Sequence, residues 1–199
     1  MKKDFYELTN PQKNIWSMEQ FYTGTNINNI CGTLLIKQNV DLNILNKSIN
    51  LFIKSNKSFG LNFKEENGNL IQYFTNQEEV SFERVNVKNY EEVRKLAQNI
   101  AEEVFDIKDK KLYKFVLFKL ENGYGGFIVL THHIISDAAT FALIGTETVK
   151  NYINILENKE IKLKSYSYED YIKSEQDYVN SNKFLKDEEY WHNIYYSTP

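Results

Sequence analysis

Two apolar segments joined by a short polar turn constrain the fold of this chain more than any other feature of its sequence. Residues 112–120 and 126–131 consist largely of aliphatic and aromatic side chains, and residues 121–125 between them contain an asparagine and two glycines. Apolar segments of this length, bounded by turn residues, are typical of strands that are covered on both faces of a sheet. We therefore predict that these two segments are the central strands of the fold.

The remaining segments are predicted to alternate between helices and strands. Thr9, Asp41 and Asn89 each precede a helical spacing of apolar residues and are typical N-cap residues. The predicted helices cover residues 10–22, 41–53, 89–104, 137–156 and 168–196, and the predicted strands cover residues 29–37, 59–64, 70–75 and 80–87, with a hairpin turn at 67–69. This order predicts an α/β (α+β) sandwich in which helices flank a central mixed sheet.

Length and charge narrow the class of protein. A chain of 199 residues suits one compact domain, and we expect residues 1–199 to form it. The net charge is -3 and the basic residues are scattered, which argues against a nucleic-acid partner. The sequence has no signal peptide and no run near the ~18 apolar residues of a membrane helix, so we expect a cytoplasmic protein without a membrane partner. The single cysteine, Cys31, excludes an intrachain disulfide and a cysteine-ligated zinc site.

Two adjacent histidines and an aspartate follow the second central strand. His132 and His133 lie where that strand ends, and Asp137 comes four residues later at a predicted helix start. Because neighbouring strand residues face opposite sides of a sheet, one imidazole should face the core and the other a cleft. A histidine in a cleft can accept a proton from an amine or a hydroxyl, and Asp137 can cap the helix or orient a ring. The alternative is that both histidines pack in the core and Asp137 is only a cap.

Other chemistries fit this segment less well. Two neighbouring strand residues do not readily chelate one ion, and no third ligand accompanies them, so we expect no metal. Ser136 lies near the histidines but lacks the flanking glycines of a nucleophile elbow. The third histidine, His192, lies in the aromatic terminal helix, and we assign it no chemistry.

Three segments resemble one known family. HHIISDA, residues 132–138, resembles the His-His-x-x-x-Asp-Gly signature of the condensation domains of nonribosomal peptide synthetases, which are chloramphenicol-acetyltransferase-like acyltransferases. LTNPQKNIWSMEQFY, residues 8–22, is similar to the opening segment of that family, and EYWHNIYYSTP, residues 189–199, to the Tyr-Trp segment that closes its N-terminal lobe. The segments occur in family order and at family spacing, and they span nearly the whole chain.

The resemblance implies a fold, a reaction and a set of partners. Residues 1–199 would be the N-terminal lobe of a two-lobed condensation domain, with the C-terminal lobe absent. The reaction would join a donor acyl or peptidyl thioester to the amine of an acceptor aminoacyl thioester, as an amide, in the synthesis of an antibiotic or lipopeptide. Donor and acceptor peptidyl carrier proteins would present the substrates on phosphopantetheine arms, without a directly bound cofactor, and an adenylation domain would be adjacent.

The resemblance also implies roles for residues at the site. His133 would be the catalytic residue, as a base or as a group that positions the amine, and His132, Asp137 and Ala138 would support the site. Alanine replaces the family's glycine at Ala138, and Gly60 replaces an arginine that pairs with the family's aspartate. Asp137 is therefore expected to be more solvated, or to pair with another cation such as Lys54, Lys57 or Lys114.

Several alternatives stay open. The start at Met1 suggests the beginning of a synthetase, and residues 11–36 resemble starter-type members, which join a fatty acyl group to the first amino acid. A related stand-alone acyltransferase or an epimerization domain is a second interpretation, and a non-catalytic module that binds a carrier protein or a neighbouring domain is a third. If the leading interpretation is correct, the isolated lobe should fold but should not condense substrates efficiently. One lobe supplies only half of the contacts that hold the two substrates in position. It should also expose an aromatic or apolar face and self-associate to some extent.

Overall fold

The computed structural model describes residues 4–163 and 167–197, and the chain divides into two compact units, Met1–Tyr166 and Ser167–Pro199. The strands are β1 (Phe5–Glu7), β2 (Asn29–Ile36), β3 (Leu61–Glu66), β4 (Asn69–Phe74), β5 (Glu83–Val87), β6 (Tyr113–Leu120) and β7 (Gly125–His132). The helices of the larger unit are α1 (Asn10–Phe21), α2 (Leu42–Ser55), α3 (Tyr90–Ala101) and α4 (Ala138–Leu156), and those of the smaller unit are α5 (Tyr168–Val179) and α6 (Asn182–Ser197). The prediction that residues 1–199 form a single domain stays a prediction.

The main sheet has the strand order β2-β7-β6-β5. Strand β7 is antiparallel to both β2 and β6, whereas β5 is parallel to β6, so the sheet is mixed. The two predicted central strands are the central strands of the structure, and every residue of β7 is buried. The predicted fold class is therefore confirmed. Two apolar segments of this length are buried on both faces when they form the middle strands of a covered sheet.

Helices cover the main sheet through alternate side chains of its strands. Val116 and Phe118 of β6 belong to the same buried cluster as Val93 and Ile100 of α3. Phe115, which points the other way along β6, contacts Phe127 with ring centroids 5.7 Å apart. Helices α2 and α4 pack on each other, and α2 also contacts β6 and β7. Because helices pack against both faces of the main sheet, the position of the end of β7 is fixed.

A second, smaller sheet has the order β1-β4-β3 and is antiparallel throughout. The predicted hairpin turn is confirmed, because Asn67 and Gly68 have φ values of 52° and 80°, the left-handed conformation that such turns require. Strand β1 was missed by the sequence patterns because it has three residues and no apolar alternation. Residues 57–60 form a short 3₁₀ helix, so the predicted strand at 59–64 begins two residues later, at Leu61.

Three other predicted boundaries were wrong. The strand expected at 80–87 begins at Glu83, because the backbone of residues 80–82 pairs with asparagine side chains of α2 instead of with a strand. Helix α3 ends at Ala101, and Val104 lies beyond it with 51% of its surface exposed. The terminal helical segment is interrupted at residues 180–181 and forms α5 and α6.

Helix α1 begins where predicted, with Thr9 as its N-cap and Pro11 in its first turn. Its buried residues, however, are polar: they are Gln12 and Glu19. Phe21, at the end of the helix, is 82% exposed. The buried side chains of this helix are therefore polar.

The smaller unit exposes many aromatic side chains. A hydrogen bond of 2.8 Å from the Tyr178 hydroxyl to Asp187 joins α5 to α6. Several large side chains of α6 are more than half exposed, namely Leu185, Tyr190, Trp191, Tyr195 and Tyr196. The predicted exposed aromatic face is thus present in this unit, and self-association of the chain stays a prediction. None of the described helices is long and apolar enough to cross a membrane.

Candidate active site at the end of strand β7

His133 is exposed and lies directly after the last residue of β7. Its backbone N–H donates to the carbonyl oxygen of Asn28, at 2.8 Å, and its Nδ1 lies 2.8 Å from the carbonyl oxygen of Ser136. A carbonyl oxygen only accepts hydrogen bonds, so Nδ1 carries the ring proton. The lone pair is therefore on Nε2, for which no partner is found within residues 4–163 and 167–197. In this tautomer, Nε2 is the ring nitrogen that can accept a proton.

His132 is buried, with 2% of its surface exposed. The backbone N–H of Ile134 donates to its Nδ1 at 3.1 Å, so Nδ1 holds the lone pair and Nε2 carries the proton. That Nε2–H lies 3.4 Å from Oε2 of Glu19, and the ring of Phe105 packs edge-on against the imidazole. The two neighbouring histidines thus hold opposite tautomers: the ring of His132 faces the interior, and that of His133 is exposed.

Burial lowers the pKa of His132 below the ordinary value of 6.5, and the nearby charge of Glu19 only partly opposes this. The ring is therefore neutral near pH 7, and the contact with Glu19 is a hydrogen bond and not an ion pair. In the structure, the two ring nitrogens of His132 bond to the backbone of Ile134 and to Glu19, in the interior at the end of β7.

Asp137 is the N-cap of α4 and is exposed. Its Oδ1 accepts hydrogen bonds of 2.8 Å from both the backbone N–H and the hydroxyl of Thr140. These bonds, led by the one from the backbone of Thr140, lower the pKa of Asp137. Of the two arrangements expected for this carboxylate, the solvated one is found. The carbonyl of Ser136, and not Asp137, orients the ring of His133.

The residues that depart from the family pattern are accommodated in this structure. Ala138 is the first residue of α4, where alanine has a high propensity and no positive φ is required. At Gly60, an added Cβ would lie 2.8 Å from the carbonyl oxygen of Thr75, so the backbone after β4 already fills the space that a side chain needs. Lys114, a candidate substitute cation for Asp137, instead pairs with Glu103.

Ser136 is a structural residue of the turn. Its hydroxyl donates to the carbonyl oxygen of His132 at 3.1 Å and lies 2.6 Å from the hydroxyl of Thr131, and the residue is 7% exposed. A hydroxyl held in this way is not presented to a substrate. Within the described ranges, no group of three or more metal-ligating side chains comes together.

An apolar groove of about 640 Å³ runs along α4 beside β2. Its wall includes Leu34 of β2 and Phe141, Gly145 and Val149 of α4. Gly32 is required in β2 for this wall, because a Cβ there would lie 2.7 Å from the ring of Phe141. The groove therefore starts one turn after the Asp137 cap, and its lining suits an apolar ligand.

Acid should destabilise the fold through His132. The unfolded chain has the ordinary histidine pKa, and the folded chain has a lower one, so the unfolded state binds the proton first. The stability that comes from keeping His132 unprotonated in the fold is fully present above pH 6.5. It is lost as the pH falls through the lower pKa that His132 has in the folded state. In urea unfolding between about pH 7 and pH 5, we expect His132→Gln to show a smaller loss of unfolding free energy than the wild type. The exposed His192→Gln variant should keep the wild-type slope, and equal slopes in all three would contradict the assignment.

Comparison with known proteins identifies the family. Residues 2–198 match the family model described as Condensation domain, and the chain therefore belongs to the condensation domain family. The two histidines at the end of β7 lie within the matched residues. The recognition made from the three sequence segments is confirmed.

The similar curated proteins are much longer than this chain. It is 28% identical over 207 residues to surfactin synthase subunit 1 of Bacillus subtilis (strain 168), a match that covers 100% of this chain and 6% of that protein. It is 22% identical to bacitracin synthase 3 of Bacillus licheniformis, over 98% of this chain and 3% of that protein. Gramicidin S synthase 2 of Aneurinibacillus migulanus is 28% identical over 97% of this chain and 4% of its own length.

Solved structures share the fold. The starter condensation domain of the rhizomide synthetase RzmA, as a mutant in complex with C8-CoA, superimposes with a TM-score of 0.89 and 18% identity, over 96% of this chain and 45% of that one. The first condensation domain of the calcium-dependent antibiotic synthetase, in complex with a substrate analogue, gives a TM-score of 0.86 and 16% identity, over 98% and 49%. The chain thus spans about half the length of these condensation domains.

Proposed function

We propose that this chain is the N-terminal lobe of a condensation domain that forms an amide bond between two carrier-bound substrates. The donor is an acyl or peptidyl thioester, and the acceptor is the amine of an aminoacyl thioester. One observation carries the proposal: at the end of the central strand, His133 is exposed, and its Nδ1–H is fixed on the Ser136 carbonyl so that Nε2 is free. A ring nitrogen held in this way is suited to general-base catalysis or to holding an amine.

The proposed reaction uses Nε2 of His133 at the attacking amine. The amine nitrogen attacks the thioester carbon of the donor, and Nε2 accepts the proton that this nitrogen loses. The C–N bond forms, the C–S bond breaks, and the departing thiolate takes up the proton to become the free thiol of the donor's phosphopantetheine arm. While His133 holds the proton, the carbonyl of Ser136 stabilises the imidazolium through Nδ1–H. The phosphopantetheine arms are substrate carriers and not cofactors bound by this lobe.

The supporting residues act through the backbone of the turn. His132 anchors the turn from the interior, and Asp137 fixes the first turn of α4 by capping it. Ala138 allows α4 to begin directly after that cap. In this proposal none of the three contacts the reacting atoms, so their replacement should act on the position of His133.

A starter-type condensation domain, which accepts a fatty acyl donor, is our proposal for the subtype. Two observations support it: starter condensation domains are among the solved structures that share the fold, and the groove along α4 and β2 has an apolar wall. The partners in this proposal are donor and acceptor peptidyl carrier proteins, the C-terminal lobe and an adjacent adenylation domain.

The experiment uses the complete condensation domain, that is, this lobe with the C-terminal lobe of its parent. The domain is mixed with an acyl-loaded donor carrier and an aminoacyl-loaded acceptor carrier, and the acceptor is analysed by mass spectrometry. An N-acyl-aminoacyl product that requires both carriers is expected. Carrier binding without any product would replace the proposal with the non-catalytic module. Solvent deuterium appearing at the aminoacyl α-carbon would indicate epimerization, and a product formed only with free amines would indicate a stand-alone acyltransferase.

A further inference from the structure

Helix α1 turns a polar face to the interior. Gln12 and Glu19 are 2% and 9% exposed, and they are separated by seven residues, which places them on one side of the helix about two turns apart. Burial of an amide or a carboxylate is unfavourable unless hydrogen bonds satisfy it. The groups that these two side chains bind therefore indicate what this face of the helix positions.

Gln12 binds both the small sheet and the turn that carries His133. Its side-chain amide pairs reciprocally with that of Gln72 on β4, with two N–O distances of 2.9 Å. Its Nε2 also donates to the carbonyl oxygen of Ile134, at 3.3 Å. Its Oε1 further accepts a bond of 2.9 Å from the backbone N–H of Thr9, which ties the amide to the start of the helix.

Glu19 binds the other side of the same turn. Its Oε2 accepts a hydrogen bond of 2.6 Å from the side chain of Asn28 and lies 3.4 Å from Nε2 of His132. The carbonyl oxygen of Asn28 in turn accepts the backbone N–H of His133. Residues 132 and 134 are thus both held by α1, and residue 133 lies between them.

We propose that α1 is a clamp on the turn at 132–136 and that Gln12 is a positioning residue for His133. The clamp fixes the backbone on both sides of His133, so that its ring meets the Ser136 carbonyl and its Nε2 stays free. The part of the proposal that concerns catalysis rests on the proposed function. The part that concerns the tautomer does not, because it is measured without any reaction.

The test is the imidazole tautomer of His133 in the 199-residue chain, read by ¹⁵N NMR at about pH 8.5, where free imidazoles are neutral. Gln12→Met keeps the length of the side chain and removes its hydrogen bonds. We expect it to lower the ratio of the Nδ1–H to the Nε2–H form of His133 about fivefold, the effect of weakening one hydrogen bond. The matched control is Gln20→Met, on the exposed face of the same helix, which should leave the ratio unchanged.

A wild-type ratio in folded Gln12→Met would overturn the proposal, since a purely structural glutamine changes stability without changing this tautomer. If Gln12→Met does not fold, Gln12→Glu replaces it. The carboxylate still accepts from Thr9 and Gln72 but has no proton for Ile134, so the ratio should again fall, and an unchanged ratio would again refute the clamp. In the complete domain, Gln12→Met should lower kcat more than it raises KM. If the tautomer shifts and the wild type forms no amide, the clamp stands and the proposed function fails.

Discussion

The His133→Ala substitution is expected to lower the rate of amide formation by the complete condensation domain roughly 10²–10⁴-fold, the usual contribution of a general base. The physical reason is that Nε2 of His133 is a ring nitrogen of this turn whose lone pair is both fixed and accessible. Without it, the attacking amine must lose its proton to water. The measurement is the single-turnover rate at which the acceptor carrier gains the acyl group.

The fold should survive this substitution, because His133 is exposed and gives up one ring hydrogen bond, worth about 0.5–1.5 kcal/mol. Urea unfolding of the 199-residue chain checks this point. His192→Ala is the matched control, since it removes an exposed histidine from α6 and should keep the wild-type rate.

A further variant separates the two roles considered for His133. Asparagine can hold an amine by hydrogen bonding, but it cannot take up a proton at neutral pH. If His133→Asn is as slow as His133→Ala, the ring acts as a base. If it keeps most of the rate, the ring acts by positioning the amine. A wild-type rate in the alanine variant would remove His133 from the mechanism altogether.

The features that the sequence predicted correctly rest on local chemistry. The N-caps Thr9, Asp41, Asn89 and Asp137 all begin helices, because a capping side chain bonds to backbone groups only two or three residues away. The central strands follow from composition alone, since long apolar segments must be buried on both faces. The end of the second such segment then places His132 and His133 on opposite sides of the backbone.

The features that the sequence did not reveal depend on distant partners. Gln12 bonds to Gln72 and to Ile134, which lie 60 and 122 residues away, and nothing near Gln12 indicates either contact. The helical spacing of the apolar residues in α1 predicts the helix but does not show that Gln12 and Glu19 are its buried residues. The tautomers of His132 and His133 are likewise set by the backbone of the folded turn, which no residue pattern encodes.

The 199-residue chain by itself is expected to form amide at least about 10⁵-fold more slowly than the complete domain, at substrate concentrations that saturate the latter. Two carrier-bound substrates react quickly only if both are held in register, and effective molarities for such positioning reach roughly 10⁵–10⁸ M. His133 is present in the single lobe, but one lobe leaves the second substrate free. The assay is the same mass-spectrometric one, run for hours with the isolated chain.

Mixing the isolated chain with a separately produced C-terminal lobe distinguishes missing positioning from a damaged lobe. If the chain folds correctly, added C-terminal lobe should raise the rate in proportion to the amount of complex formed. The same mixture with His133→Ala in the chain should stay near the background rate, because positioning without the ring nitrogen restores only part of the catalysis. An isolated chain that works within tenfold of the complete domain would show that one lobe binds both substrates, and it would contradict the division of labour between two lobes on which the proposed reaction depends.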